Sequence, residues 1–285
     1  MRGTIISSHG RHYVISCVDQ TEILAYPRGK NRNYTVGDHC EVEVINGTGR
    51  IIDHEPRSSL LRRSDKNKQK LIAANVSLII VVIAIDLPIN QSLVNRCLVA
   101  AEEQNVITHI LINKSDLGQT QKSEKFRKTY GNLGYRVTPI SAMSGMDEIK
   151  ALIKNQCSVL VGQSGVGKST IVNNIVRTAN AKTGNISKKL RSGKHTTTNA
   201  KLYRIDNETS LIDCPGVQSF GLTHIEQQKL ATYFREFRGY LDSCQFSNCT
   251  HTVEPNCGVI ESVSNGFNDK QRWQEYKRIL SELNS

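Results

Sequence analysis

Three short motifs and one cysteine cluster contain the residues best suited to chemistry. The first motif spans residues 162–169 and fits GxxxxGK[ST]. In such a loop, glycines let successive backbone N–H groups face phosphate oxygens. Its lysine reaches the β- and γ-phosphates, and its Ser or Thr hydroxyl binds Mg²⁺. The predicted phosphate-binding residues are Gly162, Gln163, Ser164, Gly165, Val166, Gly167, Lys168, Ser169 and Thr170.

A second motif, NKSD at residues 113–116, fits NKxD and follows the apolar run 110–112. An aspartate can accept hydrogen bonds from both N1–H and N2–H₂ of guanine, whereas adenine would leave the carboxylate unpaired. The motif therefore predicts selection of guanine, with its asparagine holding the base and neighbouring loops and its lysine stem covering the ring. The predicted guanine-binding residues are Asn113, Lys114, Ser115, Asp116, Ser141 and Ala142, the last two in a loop that offers main-chain N–H groups.

A third motif, at residues 213–216, fits DxxG. Its aspartate would bind Mg²⁺ through a water molecule, and the N–H of Gly216 would contact the γ-phosphate. The run 195–198, between the phosphate loop and this motif, offers threonines that can ligate Mg²⁺ and sense the γ-phosphate, as a switch segment does. The predicted Mg²⁺ ligands are Ser169, Asp213 and Thr197, with Thr198 as the alternative threonine.

The residue after DxxG is Val217, where Ras-like GTPases place a water-orienting glutamine. Because valine cannot orient water, hydrolysis by the chain alone is expected to be slow, and another group or a partner must complete the site. His195 is the nearest candidate for that role, and the predicted catalytic residues are His195, Thr197 and Thr198. A surface histidine in a basic loop is the alternative interpretation of His195.

The order of the motifs is unusual. The guanine motif comes first, then the phosphate loop, the switch threonines and DxxG, whereas GTPases usually begin with the phosphate loop. From residue 76 strand-like and helical runs alternate, which predicts a parallel sheet covered by helices. We therefore expect a circularly permuted α/β GTPase domain, whose joined ends lie close together on the surface.

The cysteine cluster lies near the C-terminus and has the pattern Cys-x₄-Cys-x-His-x₅-Cys. Three thiolates and an imidazole suit tetrahedral Zn²⁺, and a closed set of four leaves no open position, so a structural zinc is expected. The four remaining cysteines outside DxxG are scattered along the chain. The predicted zinc ligands are Cys244, Cys249, His251 and Cys257.

Charge and composition predict a type of binding partner and a cellular location. The net charge is +11, concentrated in residues 57–70 and 177–204, which favours a polyanion such as nucleic acid over a merely solvated basic surface. No apolar run reaches the ~18 residues of a membrane span, and residues 1–4 do not begin a signal peptide. A cytoplasmic protein without membrane contact is expected.

Three domains are predicted, at residues 1–66, 67–222 and 223–285. In the first, five short strands within residues 1–55 predict an all-β OB-fold barrel, whose alternative role is that of an interaction module only. It is followed by a basic linker over residues 56–70. The third domain is expected to be mostly helical and zinc-binding, with amphipathic helices over 225–237 and 269–283.

Taken together, the sequence resembles the circularly permuted GTPases of small ribosomal subunit biogenesis, the RsgA (YjeQ/EngC) family. The likeness covers essentially the whole chain and includes GQSGVGKST at 162–170, GKHTTT at 193–198 and DCPGV at 213–217. It implies a monomeric late assembly factor that binds the small subunit (30S) and its rRNA and hydrolyses GTP when the subunit stimulates it. It also implies a zinc domain and a role for His195. Cys214 departs from the Ser or Thr more common in the family.

Two other functions remain open from the sequence. An RNA-binding module could use GTP mainly as a structural ligand, because Val217 replaces glutamine. A metabolic P-loop kinase is disfavoured, because NKSD selects guanine and no site for an acceptor substrate is evident.

Overall fold

Thirteen β-strands and seven α-helices are seen in the parts of the chain that the computed structural model describes. Four residues predicted to act in catalysis or nucleotide binding (His195, Thr197, Thr198 and Gly216) lie outside those parts, as does Val217. The described residues are 1–29, 33–65, 68–144, 146–183, 200–214 and 220–283.

The N-terminal strands form a closed five-stranded barrel. Each strand alternates buried and more exposed residues, because successive side chains point to opposite faces. The barrel closes where the first strand pairs with both the second and the fourth, and the third and fifth strands run parallel. This arrangement confirms the OB-like barrel. Its strands are β1 (Arg2–His9), β2 (His12–Cys17), β3 (Glu22–Pro27), β4 (His39–Ile45) and β5 (Thr48–His54).

The segment predicted as a linker, residues 56–70, is instead largely a β-hairpin. Its strands β6 (Leu60–Asp65) and β7 (Lys68–Ala74) pair antiparallel. Leu61 and Ile72 are buried, and buried side chains on paired strands stabilise a hairpin. The prediction of a linker was therefore wrong, because the many basic residues concealed a short apolar alternation. The predicted boundary between the first two domains falls between these two strands.

The central sheet contains five parallel strands and one antiparallel strand. The strand order is β10-β9-β8-β11-β13-β12, and β12 continues into the barrel through one residue pair with β1, Ser7 opposite Lys201. All seven residues of β8 are buried, as expected for a strand covered on both faces. The strands are β8 (Leu78–Ala84), β9 (Ile107–Asn113), β10 (Arg136–Pro139), β11 (Cys157–Val161), β12 (Lys201–Arg204) and β13 (Ser210–Asp213).

Helices cover both faces of this sheet, which makes three layers. Alternate residues of β8 belong to two separate hydrophobic clusters: Ile79 and Val81 pack with the first two helices, and Ile80 and Val82 with the next two. The predicted α/β architecture is therefore confirmed. These helices are α1 (Gln91–Glu103), α2 (Gln121–Asn132), α3 (Met146–Ile153) and α4 (Lys168–Thr183).

The C-terminal region is mostly helical, as predicted, but its first part differs from the expected single helix over 225–237. A four-residue helix is followed by two 3₁₀ segments, because Phe234 has an extended backbone (φ −97°, ψ 104°) that ends the first of them. This break lets the rings of Phe234 and Phe237 stack at 5.2 Å. The α-helices are α5 (Gln227–Leu230), α6 (Gly258–Ser264) and α7 (Lys270–Leu283). Within the described ranges, no helix has the length and apolar character needed to cross a membrane.

Candidate nucleotide and metal sites

The sheet places the described nucleotide motifs along one edge. Strands β9, β10, β11 and β13 run parallel, so their carboxyl ends lie side by side, which is where open α/β sheets bind ligands. Asn113 ends β9, Asp213 ends β13, and the phosphate loop follows β11 directly. The loop with Ser141 and Ala142 follows β10. Motifs that are up to 100 residues apart in the chain thus meet in space.

Asn113 connects three of these motifs. Its side chain is 2% exposed. Its Nδ2 donates to the Val166 carbonyl oxygen at 2.8 Å, and its Oδ1 accepts from the Ala142 N–H at 2.9 Å. Gly167 lies against this amide with φ +98°, and a Cβ there would overlap Nδ2 of Asn113. Glycine at this position is therefore required both by backbone conformation and by space.

The phosphate loop holds a partly buried lysine. Lys168 Nζ donates to the carbonyl oxygens of Gly162 at 2.6 Å and Gln163 at 2.8 Å. Burial lowers the pKa of Lys168, while the nearby Asp213 carboxylate opposes that shift. Burial raises the pKa of Asp213, and Lys168 opposes that shift in turn. Phosphate oxygens would stabilise the charged form of Lys168, and Mg²⁺ would stabilise the carboxylate of Asp213.

The residues of the base-recognition motif have different exposures. Lys114 has a left-handed backbone (φ +64°) and precedes a short 3₁₀ segment, Ser115–Leu117. The Ser115 N–H donates to the Ile140 carbonyl oxygen at 2.9 Å, which ties the motif to the loop after β10. Asp116 is exposed, so its carboxylate can be reached by a base. Ser169 and Thr170, in the first turn of α4, are exposed as well.

A loop that no sequence motif marks contacts both the base motif and the phosphate loop. The loop after β8 contains Asp86, whose Oδ2 lies 2.7 Å from Lys114 Nζ. The Gln163 side chain donates to the Pro88 carbonyl oxygen at 3.0 Å, so the same loop contacts the phosphate loop. A carboxylate two residues after a fully buried strand was the available signal for Asp86.

The four predicted zinc ligands come together in the C-terminal region. Their ligand atoms all lie within 4.8 Å of one another. His251 Nδ1 is 3.5 Å from Cys244 Sγ and 3.4 Å from Cys257 Sγ, and the two sulfurs are 3.8 Å apart. Tetrahedral zinc with standard bond lengths gives edges of about 3.8 Å between sulfurs and about 3.5 Å between sulfur and nitrogen. The spacing of these atoms therefore fits a tetrahedral metal ion.

The loop between Cys249 and Cys257 is organised by one carboxylate. Glu254 accepts from the N–H groups of Thr250 at 2.7 Å and Thr252 at 2.9 Å. Burial acts to raise the pKa of Glu254, but a hydrogen bond from the Thr250 hydroxyl and those from the N–H groups lower it to about 2. Burial raises the pKa of Cys249 to about 12 and also raises that of Cys257. A cation is therefore needed to hold both as thiolates near neutral pH.

The fold and the nucleotide edge define a P-loop protein whose motif order is permuted. A family model described as RsgA GTPase matches residues 54–223. The chain belongs to the RsgA GTPase family, and it is a GTP hydrolase.

Individual relatives agree with this family over nearly the full chain. The small ribosomal subunit biogenesis GTPase RsgA of Nitrosospira multiformis is 39% identical over 100% of this chain and 92% of that protein. The protein of the same name from Neisseria meningitidis is 40% identical over 98% of this chain and 91% of its own length.

Solved structures support the same fold. YjeQ from Thermotoga maritima matches with a TM-score of 0.74 and 30% identity over 100% of this chain and 98% of its own. YloQ, described as a circularly permuted GTPase, matches with a TM-score of 0.71 and 26% identity over 99% and 94%. The predicted family, fold class and permutation are thus confirmed, whereas the individual roles of the site residues stay predictions.

Proposed function

We propose that this chain binds the small ribosomal subunit and its rRNA during late assembly, and hydrolyses GTP when the subunit stimulates it. The supporting observation is the single sheet edge that holds the base motif, the phosphate loop and Asp213, in a chain whose relatives are named for small-subunit biogenesis. The two basic segments, 57–70 and 177–204, supply positive charge for rRNA phosphates. In this proposal the chain acts as a monomer in the cytoplasm.

Within the nucleotide site, each residue has a proposed task. Asp116 accepts hydrogen bonds from guanine, Lys168 contacts the β- and γ-phosphates, and the N–H groups of the phosphate loop surround the phosphate oxygens. The hydroxyl of Ser169 and the carboxylate of Asp213 hold Mg²⁺ together with a threonine of the switch segment. His195 orients the attacking water, with Thr197 and Thr198 beside it.

The cysteine cluster is proposed to hold one structural Zn²⁺. All four ligands are protein groups, the set is rich in thiolate, and the distances fit a tetrahedron, which together favour zinc over oxygen-preferring cations such as Mg²⁺. When bound, the metal supplies the positive charge that stabilises the cysteines as thiolates. It also crosslinks a loop that has few apolar side chains to hold it together.

GTP turnover measured with and without purified small ribosomal subunits tests the proposed function. Subunits should raise the rate at least about tenfold, because completing a phosphoryl-transfer site in trans is worth more than that. The same assay with His195→Ala should lose this stimulation, and unchanged turnover would remove His195 from the mechanism. If subunits bind but do not stimulate wild-type turnover, the chain acts instead as an RNA-binding module with GTP as a structural ligand.

A further inference from the structure

Helix α7 contacts the loop of metal ligands through two polar side chains. Trp273 Nε1 donates to the His251 carbonyl oxygen at 2.8 Å, and the Tyr276 hydroxyl donates to the Thr250 carbonyl oxygen at 2.8 Å. Two consecutive carbonyl groups of the ligand loop are therefore held by one helix. Neither side chain is a metal ligand, and neither was singled out for this role by its sequence pattern.

These bonds act on a backbone that needs support. His251 has φ +57°, a left-handed conformation that is uncommon for residues other than glycine. A residue in such a conformation persists only when surrounding contacts fix it. The donor from Trp273 fixes the carbonyl of His251 itself, so it helps to aim the ring nitrogen at the cysteine sulfurs.

Another side chain of α7, that of Arg272, contacts a helix of the GTPase core. Arg272, next to Trp273 in sequence, is 3% exposed and forms an ion pair with Glu236. Its Nη1 also donates to Asn95 Oδ1 on α1 at 2.6 Å. Asn95 is 1% exposed, and its Oδ1 accepts a second hydrogen bond from the Tyr130 hydroxyl on α2 at 2.8 Å. One guanidinium thus connects α7 to the helices that cover the sheet.

A buried guanidinium depends on all of its partners. Removing one acceptor leaves N–H groups unpaired in a water-free environment, which costs more than an exposed hydrogen bond would. The position of α7 is therefore sensitive to Asn95 on one side and to the ligand loop on the other. A second connection between α7 and α1, the ion pair between Arg96 and Glu282, is partly exposed and contributes less.

We propose that α7 couples metal occupancy of the cysteine cluster to docking of the C-terminal region on the GTPase core. This inference rests on the proposed metal site. Filling the cluster fixes the carbonyls of Thr250 and His251, these fix Trp273 and Tyr276, and the helix then holds Arg272 against Asn95. Because such coupling is reciprocal, docking strengthens metal binding by the same factor by which metal strengthens docking. A change at Asn95 that releases α7 should therefore weaken metal binding by up to that factor.

The test measures Zn²⁺ affinity of the full chain by competition with a chromophoric chelator. Trp273→Phe removes the donor to His251 while keeping a ring, and should weaken zinc binding by about tenfold, in the range for residues that orient metal ligands. Asn95→Ala, in a helix that contains no ligand, should weaken it at least about fivefold, the lower end of usual coupling between sites.

Two matched controls separate coupling from general damage. Tyr130→Phe removes the other hydrogen bond to Asn95 Oδ1 but leaves Arg272 in place, and Gln274→Ala alters an exposed residue of α7. Both should keep wild-type zinc affinity within about twofold, because Tyr130→Phe keeps the ring under the Arg272 guanidinium and changes at exposed positions such as Gln274 usually have small effects. A second arm needs no variant: removing zinc should speed amide hydrogen exchange in residues 93–99 of α1.

Two results would overturn the inference. Wild-type zinc affinity in Asn95→Ala, or unchanged exchange in α1 after zinc removal, would show that the metal site and the GTPase core are independent while leaving the metal site intact. A wild-type chain that binds no zinc would overturn the proposed metal site and the coupling together.

Discussion

The nucleotide edge and the metal cluster are positioned by different kinds of structure. Asn113 and Asp213 sit at the ends of strands in a buried sheet, so the sheet places them before any ligand arrives. The metal ligands sit in a loop whose residues between Cys244 and Cys257 are mostly exposed, and whose internal order depends on Glu254 and the bonds from α7. The nucleotide edge is therefore formed before its ligand binds, whereas the metal cluster needs its metal ion to become ordered.

Removal of the metal tests this difference and should have the largest effect. Structural zinc contributes on the order of 10 kcal/mol to the folding of small metal modules. A strong chelator should therefore abolish protection from amide hydrogen exchange in residues 244–257, while β8 remains protected. Protection of the loop that survives complete removal of the metal would show that it is preformed like the sheet edge.

Metal affinity should also depend steeply on pH. Burial raises the pKa of Cys249 to about 12 and raises that of Cys257, so both thiols are protonated near neutral pH without metal. Binding as thiolates releases at least these two protons, and affinity should therefore rise with pH by about 100-fold per unit or more. Chelator competition at two neutral pH values measures the slope.

The control for this slope is Cys257→Ser, which should release one proton fewer if it still binds metal. A slope near zero in the wild-type chain would mean that the thiols are already ionised. In that case the loop, like the sheet edge, would be organised before its ligand binds.

At the nucleotide edge, Lys168→Ala should weaken GTP binding by up to about 100-fold, because each hydrogen bond to a charged group contributes about 1.5–3 kcal/mol. Titration with a fluorescent GTP analogue measures the loss. Since the sheet is preformed, the variant should keep wild-type exchange protection in β8. Lys150→Ala, which removes a partly exposed lysine paired with Asp147 at 3.1 Å, is the matched control. Loss of protection in β8 would contradict a preformed edge.

The sequence predicts the fold best in segments where apolar residues follow a single clear pattern. The buried run of β8 and the alternation in the barrel strands are such cases. It fails where many charged residues obscure the pattern of a short antiparallel strand pair, as in the hairpin around Leu61 and Ile72. It fails again over 225–237, where packing of aromatic rings on α7 outweighs a continuous helical pattern.

For the sites, motif spacing identifies residues that touch a ligand more readily than those that hold them in place. Asn113 and the four metal ligands follow from their patterns. The pair of Asp86 with Lys114 and the bond from Trp273 to His251 do not, because each joins residues more than 20 positions apart. Such partners become visible only when the chain is folded.

The smallest expected effect concerns Asp86 and shows how much of the nucleotide edge depends on side chains rather than strands. The ion pair with Lys114 is about one-third exposed on each side (31% and 37%), and pairs of that kind contribute no more than about 1 kcal/mol. Asp86→Asn should therefore weaken GTP binding by no more than about fivefold. Because Lys114 is assigned to the base, GDP should lose the same factor, whereas Lys168→Ala should affect GTP more than GDP.

Asp147→Asn provides the control for this measurement, since Asp147 pairs with Lys150 within α3 and neither residue is assigned to the nucleotide. It should leave both nucleotides unaffected. A loss for Asp86→Asn well beyond tenfold would mean that the loop after β8 holds the base motif in place. The nucleotide edge would then depend on loop contacts much as the metal cluster does, and the contrast between the two sites would narrow to the buried hydrogen bonds of Asn113.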